Sequence, residues 1–222
     1  MAPLRLGSIA PDFDAQTTSG PINFHKFIGD SWAVLFSHPA DFTPVCTTEL
    51  GEVAKLAPEF AKRDVNVIGL STNGLGDHAR WVDDINEVNS VNLAFPIIAD
   101  ADRSVATLYD MLDSVEHDAS NVVNGIPFTV RSVFVIDPAK KIRLILTYPA
   151  SCGRNFDEIL RAIDSLQLSD RQPIATPANW QPGEDVIVHV GVTTERAKEI
   201  FPTVREALPY LRFATLPEEK KQ

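Results

Sequence analysis

Cys46 stands where a cysteine is favoured to act as a nucleophile. It follows a loop with two prolines, Pro39 and Pro44, and it opens a segment with helical periodicity. The N-terminus of a helix carries about half a positive charge and unpaired N–H groups, which stabilise an anion such as a thiolate. A thiolate is the nucleophilic form of cysteine, and the hydroxyl groups of Thr43 and Thr47 favour the same interpretation. The competing interpretation is a buried structural cysteine.

Arg131 is the second residue that requires a chemical explanation. It lies in the run FTVRSVFVID, which is apolar at nearly every other position, as expected of a central strand. A guanidinium on such a strand needs an anion, because burying a lone charge costs several kcal/mol. Two partners are open: a thiolate at the end of the sheet, or an ordinary carboxylate.

The elements that must position these residues alternate between strands and helices. Runs of apolar and β-branched residues predict five strands, which are Trp32–Phe36, Val65–Leu70, Phe95–Ile98, Val130–Ile136 and Ile142–Thr147. Apolar residues at helical spacing predict four helices, which cover Cys46–Phe60, Asp77–Asn89, Arg103–Met111 and a stretch from Asn155 onward. The run DPAKK between the last two strands predicts a turn and hence antiparallel pairing.

This order predicts an α/β protein with a thioredoxin-like fold, a mixed central sheet flanked by helices. Near residue 169 the sequence changes to a proline-rich segment without periodicity, SDRQPIATPANWQPGED. We therefore expect a main domain over residues 1–168 and a small α+β extension over residues 169–222, with a strand at Val186–Val190 and a helix at Glu195–Ile200. About fifty residues bury little core alone, so the extension is expected to pack on the main domain or on a partner subunit.

The composition argues against several classes of protein. The 222-residue chain has a net charge of −10, whereas nucleic-acid binding requires a basic face. No apolar run approaches the ~20 residues of a membrane helix, and the first residues lack the apolar core of a secretory signal. We therefore expect a cytoplasmic protein without stable membrane association. Two cysteines and five scattered histidines show no metal-ligand spacing, so we expect no metal and no other cofactor.

The run HPADFTPVCTTEL resembles the active-site loop of the peroxiredoxins, in which proline, threonine and cysteine recur at the spacing of Pro39, Thr43 and Cys46. The segments GDSW before it and YPASCGRNFDEIL after it are similar to the one-cysteine, peroxiredoxin-6-like branch of that family. The resemblance extends from about residue 5 to about residue 215. It implies an antioxidant thiol peroxidase that reduces hydrogen peroxide and organic hydroperoxides.

The resemblance also implies the roles of individual residues. Cys46 would attack the peroxide and become a sulfenic acid, while Arg131 would stabilise the thiolate and the charge on the peroxide oxygens. Thr43 would orient the peroxide, and Pro39 would shield the sulfur from water.

Further residues and partners follow from the same resemblance. Arg154 would anchor Glu49 and the active-site loop, and His38 is either a polar neighbour of the sulfur or a packed loop histidine. An external thiol from the glutathione or thioredoxin system would reduce the sulfenic acid, because the C-terminal segment contains no cysteine. The chain would form a homodimer, with the C-terminal segment packing across subunits. A regulatory, an adventitious and a resolving role are all open for Cys152.

The sequence also contains partial matches to two motifs that indicate other functions. Members of this branch are also described as phospholipases with a GDSWG serine; here Ser31 and His25 are present, but the motif ends in Ala33, and Ala139 stands where the third residue, an aspartate, would fall. The run Gly74–Ala79 matches the pattern GxGxxA of dinucleotide-binding loops, although a loop with a helix N-cap explains it better. A non-catalytic redox sensor or chaperone is the remaining alternative.

Overall fold

The computed structural model describes residues 4–113, 122–123 and 126–217, and the chain divides into two compact units at Phe156/Asp157. Helices and strands of the first unit, in chain order, are β1 Asp14–Thr17, β2 Gly20–Asn23, α1 Phe24–Ile28, β3 Trp32–Ser37, α2 Pro44–Lys55, α3 Ala57–Lys62, β4 Val65–Ser71, α4 Leu75–Asn89, β5 Ile97–Ala99, α5 Ser104–Leu108, β6 Val122–Val123, β7 Ile126–Pro127, β8 Arg131–Ile136 and β9 Ile142–Tyr148. Helix α6 follows at Phe156–Arg171.

The first unit is built on a mixed sheet of seven strands in the order β2-β1-β5-β4-β3-β8-β9, flanked by helices. Strand β3 runs parallel to β4 and antiparallel to β8, and β8 pairs antiparallel with β9. The predicted antiparallel pairing across the DPAKK turn is therefore confirmed. The core against this sheet includes Phe24, Ile28, Ala33, Leu35, Leu70, Tyr109, Phe134 and Ile136.

The second unit has a core and a sheet of its own. Its elements after α6 are β10 Ile174–Ala175, β11 Val186–Val188, α7 Thr194–Ile200, β12 Arg205–Leu208 and β13 Leu211–Ala214. The four strands form an antiparallel sheet in the order β10-β11-β13-β12. Its core consists of Ile174, Trp180, Val186, Val188, Ala197, Phe201 and Ala214. The domain boundary at residue 168 stays a prediction.

The predicted helix over Cys46–Phe60 is wrong as a single element. The chain forms α2 and α3 instead, with Leu56 between them at ψ 1°. Pro58 in the first turn of α3 explains the break, since a proline inside a helix lacks the N–H donor and clashes with the carbonyl four residues earlier. The hairpin of β1 and β2 was also missed, because its segments DAQT and GPIN show no apolar alternation.

The topology brings two distant segments to one edge of the sheet. Strand β3 ends at Ser37 and β8 begins at Arg131, and the antiparallel register pairs Phe36 with Val133. The end of β3 therefore lies beside the start of β8. The loop after β3 leads into α2, so the first turn of α2 is placed over the first residues of β8.

Among the described residues, no helix is both long enough and apolar enough to cross a membrane. The same residues contain no cluster of three or more histidine, cysteine or acidic side chains arranged to hold a metal ion.

The contact between α2 and α4 depends on a glycine. A Cβ atom at Gly51 would overlap the side chain of Asn89, which donates hydrogen bonds to the carbonyls of Thr47 (3.2 Å) and Ile85 (3.0 Å). We expect Gly51→Ala to destabilise the protein by about 1–3 kcal/mol, because this overlap outweighs the better helix propensity of alanine. Urea denaturation measures the change. Gly76→Ala is the control, since nothing lies within 4 Å of its Cβ position. Equal stability of the two variants would contradict this account of the α2–α4 contact.

Candidate active site

Cys46 lies in the first turn of α2 and is fully buried. Thr43 is the N-cap residue and Pro44 the first helical residue, where its fixed φ favours helix initiation. Before them, Phe42 adopts a left-handed conformation with φ 55°, which costs a non-glycine residue about 1–2 kcal/mol. The loop therefore turns sharply to deliver the cysteine to the helix start.

Arg131 reaches the sulfur from β8. Its Nη1 lies 3.3 Å from Sγ of Cys46 and donates to Oε2 of Glu49 at 2.6 Å. Its Nε and Nη2 both donate to the carbonyl of Ala150, at 2.9 and 2.6 Å. Both partners left open by the sequence, the cysteine and a carboxylate, therefore contact the same nitrogen.

Glu49 connects this arginine to a second one. It lies one helical turn after Cys46, and its Oε1 accepts from the backbone N–H (2.8 Å) and Nε (2.9 Å) of Arg154, while Oε2 accepts from Nη2 (2.8 Å). Burial opposes ionisation of this carboxyl, but the bonds from Arg154 outweigh it and hold the pKa of Glu49 below its usual value. Glu49 is therefore an anion shared by two cations.

The side chain of Arg154 is held by backbone carbonyls and by aromatic rings as well as by Glu49. Its Nη1 donates to the carbonyls of Ser37 (2.8 Å) and Ser132 (3.1 Å), so it joins the end of β3 to the start of β8. Its guanidinium also lies over the rings of Phe36 and Phe156, at 5.1 and 5.5 Å from their centroids.

The charges of this cluster do not balance without the sulfur. Arg131 and Arg154 carry two positive charges, and among the described residues Glu49 is the one carboxylate paired with either. All three side chains are at most 3% exposed. A buried surplus positive charge is costly, and a thiolate at Cys46 removes it. The arrangement can therefore hold a cysteine in its nucleophilic form.

The structure places Thr43 and Pro39 in the loop between β3 and α2. The hydroxyl of Thr43 donates to the carbonyl of Ala40 at 2.9 Å, which leaves its oxygen lone pairs available. Pro39 is buried, and Thr43 is partly exposed. The structure thus places both in the segment that carries Cys46.

His38 belongs to a buried polar group that the sequence analysis did not identify. Its Nε2 lies 2.9 Å from Oδ1 of Asp41, and His78 on α4 places Nδ1 2.5 Å from the other oxygen, Oδ2. Burial raises the pKa of Asp41, but hydrogen bonds from the two imidazoles outweigh it, so this pKa lies below its usual value. Asp41 was visible in the run HPADFTPVC, whereas its pairing with His78 across 37 residues leaves no local pattern.

The lipase interpretation lacks its central hydrogen bond. The hydroxyl of Ser31 donates to Oδ1 of Asp64 at 2.7 Å. His25 instead has Nε2 at 2.7 Å from the carbonyl of Ala10 and Nδ1 at 4.0 Å from Asp12. A serine nucleophile needs an imidazole that accepts its proton, and Ser31 has a carboxylate instead.

The dinucleotide-binding interpretation is not supported either. Gly74 is the N-cap of α4, and a Cβ atom at Gly74 or Gly76 would meet nothing within 4 Å, so neither position requires a glycine for close packing. Asp77 pairs with Arg80. Asp100 accepts from the backbone N–H groups of α5 and caps that helix.

Cys152 lies in the loop between β9 and α6 and is exposed as a free thiol. Its N–H donates to the carbonyl of Pro149 at 3.0 Å. In the same loop, the carbonyl of Ala150 accepts a hydrogen bond from Arg131, and Arg154 donates one to Glu49. This loop therefore supports the cluster at Cys46.

Comparison with known proteins identifies the family. Residues 6–145 match the AhpC/TSA family, and residues 165–203 match the C-terminal domain of 1-Cys peroxiredoxin. "Peroxiredoxin PRX1, mitochondrial" of Saccharomyces cerevisiae is 56% identical over 211 residues, which cover 95% of this chain and 80% of the relative.

Solved structures extend the similarity to the whole fold. A mutant of peroxiredoxin 6 of Arenicola marina matches with a TM-score of 0.90 and 46% identity, over 97% of this chain and 100% of that one. A structure that addresses thiol resolution in yeast mitochondrial 1-Cys peroxiredoxin via glutathione/thioredoxin systems matches with a TM-score of 0.89 and 56% identity, over 96% of this chain and 100% of that one. The chain therefore belongs to the AhpC/TSA family as a one-cysteine peroxiredoxin, a thiol-dependent peroxidase with a thioredoxin-like fold.

Proposed function

We propose that Cys46 carries the peroxidase reaction of this protein and that an external thiol completes each cycle. The observation that supports this proposal is the contact of 3.3 Å between Arg131 Nη1 and Cys46 Sγ, within a buried cluster that has one surplus positive charge. Such a cluster stabilises an anion at the sulfur, and a thiolate is the form that attacks a peroxide.

The first half of the cycle is a two-electron oxidation of sulfur. The thiolate of Cys46 attacks one oxygen of the peroxide, an S–O bond forms, and the O–O bond breaks. The leaving oxygen departs as hydroxide or alkoxide and takes up a proton to give water or an alcohol. Cys46 becomes a sulfenic acid.

The second half restores the thiol. One molecule of external thiol attacks the sulfenic sulfur, releases water and leaves a mixed disulfide, and a second thiol displaces Cys46. The residues after 168 contain no cysteine, which supports a reductant from outside the chain. The yeast relative studied with glutathione and thioredoxin systems supports these two sources.

Each remaining site residue receives a role in this scheme. Arg131 stabilises the thiolate and the negative charge that develops on the peroxide oxygens, and Glu49 with Arg154 holds it in place. Thr43 orients the peroxide through its hydroxyl, and Pro39 shields the sulfur from water. His38 is a polar neighbour of the reacting atoms.

We further propose that the protein is a homodimer in the cytoplasm. Exposed apolar side chains in the second unit, Val190, Leu208 and Tyr210, support a subunit interface there. The yeast relative is described as mitochondrial, so the alternative location is that organelle.

Replacing Cys46 tests the assignment directly. We expect Cys46→Ser to lose all thiol-dependent consumption of hydrogen peroxide, measured by stopped flow with glutathione or a thioredoxin system as donor. Cys152→Ser is the matched control and should keep full turnover. Undiminished turnover in Cys46→Ser would refute the assignment. Loss of turnover in Cys152→Ser, with sulfenic acid still formed at Cys46, would show that Cys152 is a resolving cysteine.

Arg131→Lys keeps the positive charge but cannot contact Cys46, Glu49 and Ala150 together. We expect the second-order rate constant for peroxide reduction to fall roughly 10²–10³-fold, the usual effect of removing a donor that stabilises transition-state charge. Single-turnover oxidation followed by tryptophan fluorescence measures this constant. Arg143→Lys on β9 is the control, because Arg143 pairs with Asp137. An unchanged rate in Arg131→Lys would exclude Arg131 from the reaction.

Glu49→Gln tests the shared anion. Removing one member of a buried ion cluster is expected to destabilise the fold by about 3–5 kcal/mol at neutral pH in urea denaturation. Because the pKa of Glu49 is lowered in the folded state, wild type loses this advantage as the pH falls below about 4.3, the ordinary glutamate pKa. The two proteins should therefore converge in acid. Glu59→Gln, in an exposed pair with Lys62, is the control and should change stability little. A constant difference down to about pH 3 would contradict the lowered pKa.

A further inference from the structure

A second buried cluster lies beside the peroxidase site and consists of His38, Asp41 and His78. The two histidines have no exposed surface, and Asp41 is 5% exposed. Both oxygens of Asp41 are occupied, Oδ1 by His38 Nε2 at 2.9 Å and Oδ2 by His78 Nδ1 at 2.5 Å. Ser71 adds a further hydrogen bond to Oδ1 at 3.2 Å.

The hydrogen-bond partners of His78 determine its charge. Nδ1 faces a carboxylate oxygen of Asp41, and Nε2 faces the carbonyl oxygen of Ile98 at 3.1 Å. A carbonyl and an ionised carboxylate accept hydrogen bonds and donate none. Both ring nitrogens must therefore carry a proton, which makes His78 an imidazolium paired with Asp41.

His38 is left in one neutral form. Its Nε2 donates to Asp41, whereas its buried Nδ1 has no partner among the described residues. Burial lowers the pKa of His38, Asp41 opposes this effect, and the charges of His78 and Arg154 lower it further. With Asp41 and His78 forming a neutral pair, a proton on Nδ1 would leave a buried surplus charge. Nδ1 of His38 is therefore unprotonated, and its lone pair can accept a hydrogen bond.

The ring of His38 is connected to the helix that carries Cys46 through Trp81. It packs on Trp81 at 5.0 Å between centroids, and Trp81 Nε1 donates to the hydroxyl of Thr47, the residue after Cys46. Arg154, which holds Glu49, also acts on the charge of His38. The two clusters therefore share one electrostatic environment.

We propose that His78 is a positioning residue that acts through Asp41 to hold His38 as the Nε2–H tautomer, with an Nδ1 that can accept but not donate a hydrogen bond. Such an acceptor suits an O–H group of the peroxide at Cys46, and this part of the inference rests on the proposed function of Cys46. The protonation states themselves are independent of it.

Nitrogen NMR of the full chain labelled with ¹⁵N-histidine tests the protonation states in wild type. Two-bond ¹H–¹⁵N correlations separate an imidazolium from each neutral tautomer, and single histidine substitutions assign the signals. We expect His78 to be doubly protonated and His38 to carry its proton on Nε2 at about pH 7, near the ordinary histidine pKa. A neutral His78, or a proton on Nδ1 of His38, would overturn the proposal whatever the peroxidase activity.

His78→Gln tests the consequence for the reaction. Without the imidazolium of His78, the charge of Asp41 acts on the neutral imidazole of His38 alone, so the pKa of His38 should rise and its Nδ1 should gain a proton. We expect the second-order rate constant for hydrogen peroxide to fall roughly tenfold near pH 6 and to recover toward pH 8. A tenfold decrease is the effect expected from the loss of about one hydrogen bond in the transition state. His189→Gln, at an exposed position of the second unit, should match wild type. A loss of the same size at every pH would indicate a merely structural role and contradict the proposal. If the variant does not fold, the NMR spectra of the wild-type protein test the proposal through the protonation states of His38 and His78.

Discussion

Two guanidinium groups and one carboxylate share a buried space at the start of α2, and most of the site depends on this unequal pairing. Glu49 accepts hydrogen bonds from both Arg131 and Arg154, yet one carboxylate neutralises only one of the two cations. In a medium of low dielectric the remaining charge is too costly to leave alone. The sulfur of Cys46 lies 3.3 Å from Arg131, where a thiolate would supply the missing negative charge. The chemistry that we propose for the cysteine thus follows from a charge requirement of the folded state.

The fold meets this requirement by joining segments that are far apart in the chain. Cys46 and Glu49 come from one helix, Arg131 from the first position of β8, and Arg154 from the loop after β9. The register of β8 with β9 pairs Arg131 with Tyr148, which brings the carbonyl of Ala150 within reach of its side chain. Arg154 then ties β3 to β8 through the carbonyls of Ser37 and Ser132. The arginine and glutamate side chains that surround the sulfur of Cys46 are thus the same groups that connect the two strands at this edge of the sheet.

The sequence predicted those features that a local pattern carries. The apolar runs identified β3, β4, β8 and β9, and the charged residue inside an apolar strand identified Arg131 as a residue that needs an anion. Pro58 indicates a helix break in the sequence. The prediction of one continuous helix missed it because the apolar periodicity continues across this proline. The pairing of Glu49 with Arg154 came from family resemblance alone, since 105 residues separate them. Asp41 and His78 escaped notice for the same reason, because a long-range hydrogen bond between ordinary polar residues has no signature in sequence.

The net charge of the cluster of His38, Asp41 and His78 affects the charge balance of the neighbouring cluster of Arg131, Arg154 and Glu49. An unneutralised Asp41 would put a second anion near Cys46, where it would repel a thiolate and compete for the field of Arg154. Two protonated imidazoles would instead leave a second surplus positive charge, which a single thiolate at Cys46 could not balance as well as that of the arginine pair. One imidazolium and one neutral imidazole around Asp41 avoid both outcomes, because the cluster is then neutral as a whole. The surplus charge of the arginine pair is then left for a thiolate at Cys46 to balance, and Asp41 and His78 determine which ring nitrogen of His38 carries the proton.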